Sequence, residues 1–149
     1  MADNSVTLHR VFKTSPEKLF RALTEPLAFA AWLPPYGFIA ELHSMDVRVG
    51  GGYKMSFTNF TTGGVQSFTG KYLEIKKNEF LKNTDVFDNA NLPGEMTKTF
   101  WIKKVAVGTQ LKILHEGIPP MIPVEACYLG WQDSLDKLMR LVEPNIPDA

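Results

Sequence analysis

The stretch from Val124 to Val142, entered through the bend Pro119-Pro120-Met121-Ile122-Pro123, constrains the fold of this chain more than any other segment. Val124, Cys127, Tyr128, Trp131, Leu135, Leu138 and Val142 recur at i, i+3, i+4 and i+7 spacings, which places them on one helical face. Glu125, Asp133, Asp136, Lys137 and Arg140 fall on the other. Most of the preceding chain alternates with period two, so one apolar helix has a whole sheet to cover. The expected architecture is α+β, a curved antiparallel sheet wrapped around a long carboxy-terminal helix.

Val6 to Phe12 alternates as a first strand. Ser15 then offers a side-chain oxygen to the free amides of a helix, Pro16 suits its first position, and Glu17 complements the positive end of the dipole. Thr24-Glu25-Pro26 restarts the pattern for a second short helix ending near Trp32, and Pro34-Pro35 stops it. From there to His115 the period is two. Gly50-Gly51-Gly52 precedes Tyr53, Met55 and Phe57, which alternate with Lys54, Ser56 and Thr58, and Gly63-Gly64 makes a hairpin. Val65 to Ile75, Phe80 to Phe87, Met96 to Lys104 and Thr109 to His115 supply further strands. Two parities stay open: Tyr72 competes with Leu73 and Ile75 for the inside, and Phe100 and Ile102 oppose Trp101.

A chain of 149 residues suits one domain over its whole length, with about 68–70% of the unfolded surface buried on folding. Sixteen basic and sixteen acidic residues cancel without any Lys/Arg block, which argues against a nucleic-acid binder. No apolar run approaches the ~18 residues of a spanning helix, and the polar segment Met1-Ala2-Asp3-Asn4-Ser5 is no signal peptide. A soluble cytoplasmic protein without membrane attachment is expected. Cys127 is the single cysteine, which excludes an intramolecular disulfide and a thiolate cluster. His9, His43 and His115 lie on distant segments without ligand spacing, so neither a metal nor another cofactor is expected.

The ordered motifs Arg10-Val11-Phe12, Ser15-Pro16-Glu17, Trp32-Leu33-Pro34-Pro35, Val49-Gly50-Gly51-Gly52-Tyr53, Gly70-Lys71-Tyr72-Leu73-Glu74-Ile75, His115-Glu116-Gly117 and Gly130-Trp131 resemble the SRPBCC superfamily. Within it, the chain is most similar to the domain found in the activator of the heat-shock-protein-ninety ATPase, from about Val6 to Leu141. The resemblance implies the helix-grip fold of birch-pollen-allergen-like and START domains, with an apolar cavity between the sheet and the last helix. It also implies a range of activities, since superfamily members bind lipids, hormones or polyketides and some act as cyclases or dehydratases. Co-chaperones of the type named carry a separate domain that engages the chaperone, whereas one domain is expected here.

The candidate ligand-binding residues are Trp32, Tyr53, Met55, Phe57, Ile113, His115, Met121, Cys127, Tyr128 and Trp131. An apolar row such as Tyr53, Met55 and Phe57 is core by default, and a cavity wall uses the same residue types. The indole N–H of Trp131 needs a partner if buried. Gly130 costs ~1 kcal/mol inside a helix, which calls for either a strand in close approach or space kept for a ligand. His115 has the parity to face the helix, where it serves as acid, base, ligand donor or a plain structural histidine. A Cys127–His115 nucleophilic pair lacks a third orienting residue, and no residue is assigned a catalytic role. Binding of a small apolar or amphipathic molecule is the expected function. The alternatives are an interaction protein acting on a chaperone, and a cyclase-like or hydrolytic cavity enzyme.

Overall fold

The computed structural model describes residues 4–148; residues 1–3 of the polar amino-terminal segment lie outside them. The elements run β1 (Val6–Phe12), α1 (Pro16–Thr24), α2 (Pro26–Trp32), β2 (Phe38–Met45), β3 (Gly52–Asn59), β4 (Val65–Lys76), β5 (Phe80–Phe87), β6 (Met96–Val105), β7 (Gly108–Glu116) and α3 (Val124–Val142). Seven strands form one antiparallel sheet in the order β1-β7-β6-β5-β4-β3-β2, curled around α3. β2 through β7 form a meander, and the α1–α2 elbow carries the chain from β1 at one edge to β2 at the other. The helix-grip architecture expected from the sequence is the one present.

Local chemistry accounts for the elbow. Ser15 caps α1 by accepting the Lys18 amide at 3.1 Å, and Pro16 and Pro26 open the two helices. Leu19, Phe20 and Leu23 of α1 are buried with Phe29 and Trp32 of α2. The Trp32 indole N–H donates to the Ala22 carbonyl at 2.7 Å, which fixes one helix against the other. Trp32 is thus a core residue that locks the elbow.

On α3 the buried face is Trp131, Ser134, Leu135, Leu138 and Val142. Each large apolar side chain there contributes about 1.5–3 kcal/mol relative to exposure. The helix is fastened to the elbow by Ser134, whose hydroxyl donates to the Leu33 carbonyl at 2.6 Å, and by Lys137, whose ammonium donates to the Pro34 carbonyl at 2.9 Å. The expected apolar stripe is narrower in its first two turns. Tyr128 is 42% exposed and lies with Val6, Val124, Glu125 and Leu129 along an outer groove. It sits at the margin of the stripe, beside Val6 at the start of β1.

Both open parities have structural answers. A β-bulge between Tyr72 and Glu74 places two residues of β4 against one of β5, so Leu73 is left exposed while Tyr72 on one side of it is buried and Ile75 on the other packs on the core. On β6 the inward row is Met96, Lys98, Phe100 and Ile102, and Trp101 packs outside against Phe80. Close packing demands glycine at several positions, Gly70 among them. Gly70 pairs with Tyr53, whose ring crosses it so closely that an added Cβ would lie 2.4 Å from a ring carbon.

Candidate functional site

Between the sheet and α3 lies a cavity of about 340 Å³. Its wall on the sheet side is aromatic: Phe57 of β3, Phe68 of β4 and Phe87 of β5, with Phe38 at the start of β2. The rings pack edge to face, with centroids 4.8 Å apart for Phe57–Phe68 and 6.3 Å for Phe68–Phe87. The opposite wall is the inner face of α3, Ala126, Cys127, Gly130, Trp131 and Ser134, and the corner Leu33–Pro35 closes one side. The nearest atom to a Cβ built on Gly130 is Pro35 Cγ at 3.8 Å. No strand presses on this glycine; it leaves room beside the cavity.

Polar side chains gather at one end of this apolar space. Lys98 projects from β6 and its Nζ lies 2.7 Å from Asp85 Oδ2 on β5, with side chains only 9% and 4% exposed. The Lys98 ammonium also sits 5.7 Å from the Phe68 ring centroid and 5.6 Å from that of Trp131, so two ring faces help to replace lost water. Burial raises the Asp85 carboxyl above its ordinary range, and the charge and hydrogen bond of Lys98 oppose that rise. Asp85 Oδ1 is buried without a well-formed hydrogen bond, and the nearby Tyr53 hydroxyl also favours the charged carboxylate. Behind the pair, Asn83 donates to the Tyr53 hydroxyl at 3.1 Å, and burial, followed by the nearby Asp85 charge, pushes Tyr53 well above its usual value.

His115 has a different role. The Trp131 indole N–H can only donate, and it reaches His115 Nδ1 at 3.0 Å, so Nδ1 is the acceptor and Nε2 carries the hydrogen. Nε2 lies 3.2 Å from Met96 Sδ. Burial, reinforced by the positive charge of Lys98, lowers the His115 pKa to about 3. The ring is therefore neutral, and both nitrogens are engaged. Cys127 Sγ lies 3.6 Å from the same Nδ1, and burial raises its pKa, so it remains a thiol. This geometry holds Trp131 in place; it does not activate a nucleophile.

Of the ten residues singled out in the sequence, the structure brings Phe57, His115, Cys127 and Trp131 to the cavity wall. Trp32, Tyr53, Met55 and Ile113 are buried in the core around it. Met121 is 69% exposed in the bend before α3, and Tyr128 faces the outer groove. The polar pair Asp85–Lys98 was not singled out. A signal for it exists, since each charge interrupts an inward apolar row, Leu81-Asn83-Asp85-Phe87 in one case and Met96-Lys98-Phe100-Ile102 in the other.

Two other polar assemblies lie outside the cavity. On the outer face of the sheet, His43 Nε2 is 2.8 Å from Ser56 Oγ, which is 2.8 Å from Ser67 Oγ, and Glu41 lies 3.6 Å from His43 Nδ1. Ser56 is buried within that relay and does not line the cavity, so the Ser–His–Glu order has no substrate pocket beside it here. A depression of about 580 Å³ near Trp101 is bordered by Glu74, Lys76, Glu79, Lys103 and Lys112. Lys76 pairs with Glu79 at 3.5 Å and the Lys112 ammonium lies over the Trp101 ring, as on solvated sheet surfaces. Among the described residues no group of three or more His, Cys, Asp or Glu could hold a metal ion, and no helix is long and apolar enough to cross a membrane.

A curled antiparallel sheet gripping a terminal helix, with an apolar cavity between them, defines a START/SRPBCC-type domain. A family profile described as "Activator of Hsp90 ATPase homolog 1-like protein" matches residues 13–143, and the chain belongs to that family. Among solved structures it is similar to protein CV1439 from Chromobacterium violaceum, with 48% identity, a TM-score of 0.94, and coverage of 95% of this chain and 99% of that one. It is also similar to protein MLL2253 from Mesorhizobium loti, at 25% identity and a TM-score of 0.73 over 92% of this chain and 95% of that one. A Rhodobacter sphaeroides protein, 22% identical with a TM-score of 0.80 over 92% and 90% of the two chains, shares the fold. No functionally curated protein matches the chain.

Proposed function

We propose that this protein is a binding module that holds a small apolar or amphipathic molecule in the cavity between the sheet and α3. The observation that carries the reading is the cavity of about 340 Å³ walled by Phe38, Phe57, Phe68, Phe87 and Trp131. That size falls at the lower end of the ~300–1,000 Å³ typical of small-molecule sites, which are mostly apolar with a few placed polar groups. Binding is favoured over turnover by the state of the polar groups. His115 has both ring nitrogens engaged, Cys127 is held as a thiol, and Lys98 is paired with Asp85. The name of the family, with its reference to an Hsp90 ATPase activator, supports a chaperone-directed role only at the level of kinship.

The test is native mass spectrometry of freshly purified protein, together with titration by an apolar fluorescent probe. The expected results are a co-purified small molecule and saturable uptake of one probe per chain. Absence of both would exclude the binding reading. Robust turnover of an ester, lactone or ketone would replace it with the enzymatic one.

A further inference from the structure

The buried Asp85–Lys98 pair allows the ligand class to be narrowed; the narrowing rests on the binding reading above. The pair lies at the cavity and both members line it, together with the phenylalanine wall and Trp131. It presents two unlike handles. Asp85 Oδ1 is a buried acceptor that makes no well-formed hydrogen bond, on a residue that is 3% exposed, and the Tyr53 hydroxyl near the carboxylate leaves a further lone pair of it open to the cavity. Under-satisfied buried oxygens of this kind are uncommon and need an explanation. Lys98 has three N–H donors, one of which is directed at Asp85 Oδ2 at 2.7 Å. Its remaining surroundings are ring faces.

Charge decides what such a site accepts. The two groups neutralise each other, so a ligand carboxylate would place a second negative charge beside Asp85 in a water-poor cavity. A ligand cation would do the same against Lys98. Desolvating an additional unpaired charge is far more costly than desolvating a neutral polar group. A hydroxyl meets both handles with one atom, because its hydrogen donates to Asp85 Oδ1 while its lone pairs accept from Lys98 Nζ. The geometry points to a neutral, hydroxyl-bearing ligand with an aromatic or similarly flat apolar body, its hydroxyl seated between Asp85 and Lys98 and its body along the Phe57–Phe68–Phe87 wall.

A naphthalene series tests this on the intact protein. 2-Naphthol has the apolar body and the donor–acceptor oxygen, 2-methoxynaphthalene lacks the donor, naphthalene lacks the oxygen, and 2-naphthoate carries a negative charge. Equilibrium binding at pH 7 should place 2-naphthol first, by about 10-fold or more, as expected for a hydrogen bond to a charged group. The double variant Asp85→Leu/Lys98→Met removes both handles and keeps an apolar lining. Its far-UV circular dichroism reports whether it folds, and folded double variant should bind 2-naphthol and naphthalene equally. Should that variant not fold, the comparison of 2-naphthol with 2-methoxynaphthalene on the native protein decides alone. Equal binding of those two would overturn the inference and leave the binding reading intact, as would a preference that survives in the folded double variant. Tightest binding by 2-naphthoate would also overturn it and make Lys98 an anion receptor. Failure of all four compounds, together with failure of an apolar fluorescent probe, would remove the cavity reading itself.

Discussion

Asp85 and Lys98 are buried to within a few per cent, and their mutual attraction offsets a desolvation cost that neither would meet alone. Lys98→Met should therefore strand a carboxylate and destabilise by ~3–5 kcal/mol, whereas Asp85→Leu/Lys98→Met should be near neutral or more stable. Chemical denaturation of both variants measures the contrast, and equal losses would show that the pair is not coupled. His115 carries a pH signature. Its unfolded form protonates near the ordinary value of 6.5, but burial holds the folded ring neutral down to about 3. In that window the unfolded chain binds the extra proton, so stability is complete above about 6.5 and falls as pH falls, by up to about 1.4 kcal/mol per unit. Asp85 acts in the opposite sense: its folded pKa is raised, so the folded state keeps a proton that the unfolded carboxyl begins to lose near 3.8, and this contribution to stability is full below 3.8 and is lost as pH rises. The comparison of wild type with His115→Gln cancels that contribution. The variant keeps an acceptor for Trp131 and should lose part of the acid sensitivity between pH 6 and 4.

At the scale of the element, α3 joins two demands that its sequence keeps apart. Its second half is an anchor, with Leu135, Leu138 and Val142 buried, and its first half forms cavity wall and outer groove. Trp131 stands between the two, tied by its indole to His115 of β7. Trp131→Ala should cost ~3–5 kcal/mol by equilibrium unfolding, as for other buried aromatic truncations. A loss under about 1 kcal/mol would place the indole in solvent. Gly130 is the weak point of the helix. A Cβ there meets nothing nearer than Pro35 at 3.8 Å, so Gly130→Ala should raise stability by ~0.5–1 kcal/mol through backbone entropy. Gly130→Leu should instead extend into the cavity and reduce probe uptake while the melting temperature is retained. Unaltered uptake would separate this glycine from the binding volume.

At the scale of the molecule, the buried side chains of β1, the elbow, the sheet and α3 form one continuous apolar cluster around the cavity. We expect one cooperative thermal transition, seen alike by near- and far-UV circular dichroism. Because the cavity exists only in the folded state, a ligand at 100 times its dissociation constant should stabilise by ~2.7 kcal/mol. A rise in melting temperature with probe concentration checks both statements. Two transitions, only one of them ligand-sensitive, would contradict the single cooperative unit.

How much of this was readable beforehand differs by level. The bounds of helix α3 were legible to the residue, and periodicity over 19 residues gave the buried face of its last three turns, though not the exposure of Tyr128. Ser15, Pro16 and Pro26 marked the elbow because caps and prolines act within a single turn. Strand order followed from short connections, although β2, an edge strand with a bulge between Leu42 and Ser44, had no distinct signature. The inward row of β4 could not be read, since the bulge that exposes Leu73 is a property of its pairing with β5. The candidate site divided in the same way. Phe57, His115 and Trp131 followed from parity, but the same parity also selected Tyr53, Met55 and Ile113, which the core absorbed. Sequence alone thus determined the helices, the run of strands and the buried faces of α1, β3 and β7, because those depend on neighbours a few residues apart. Tertiary structure alone decided where curved sheet and straight helix fail to meet, and that Asp85 and Lys98 close on each other there, because a cavity is set by contacts between segments far apart in the chain.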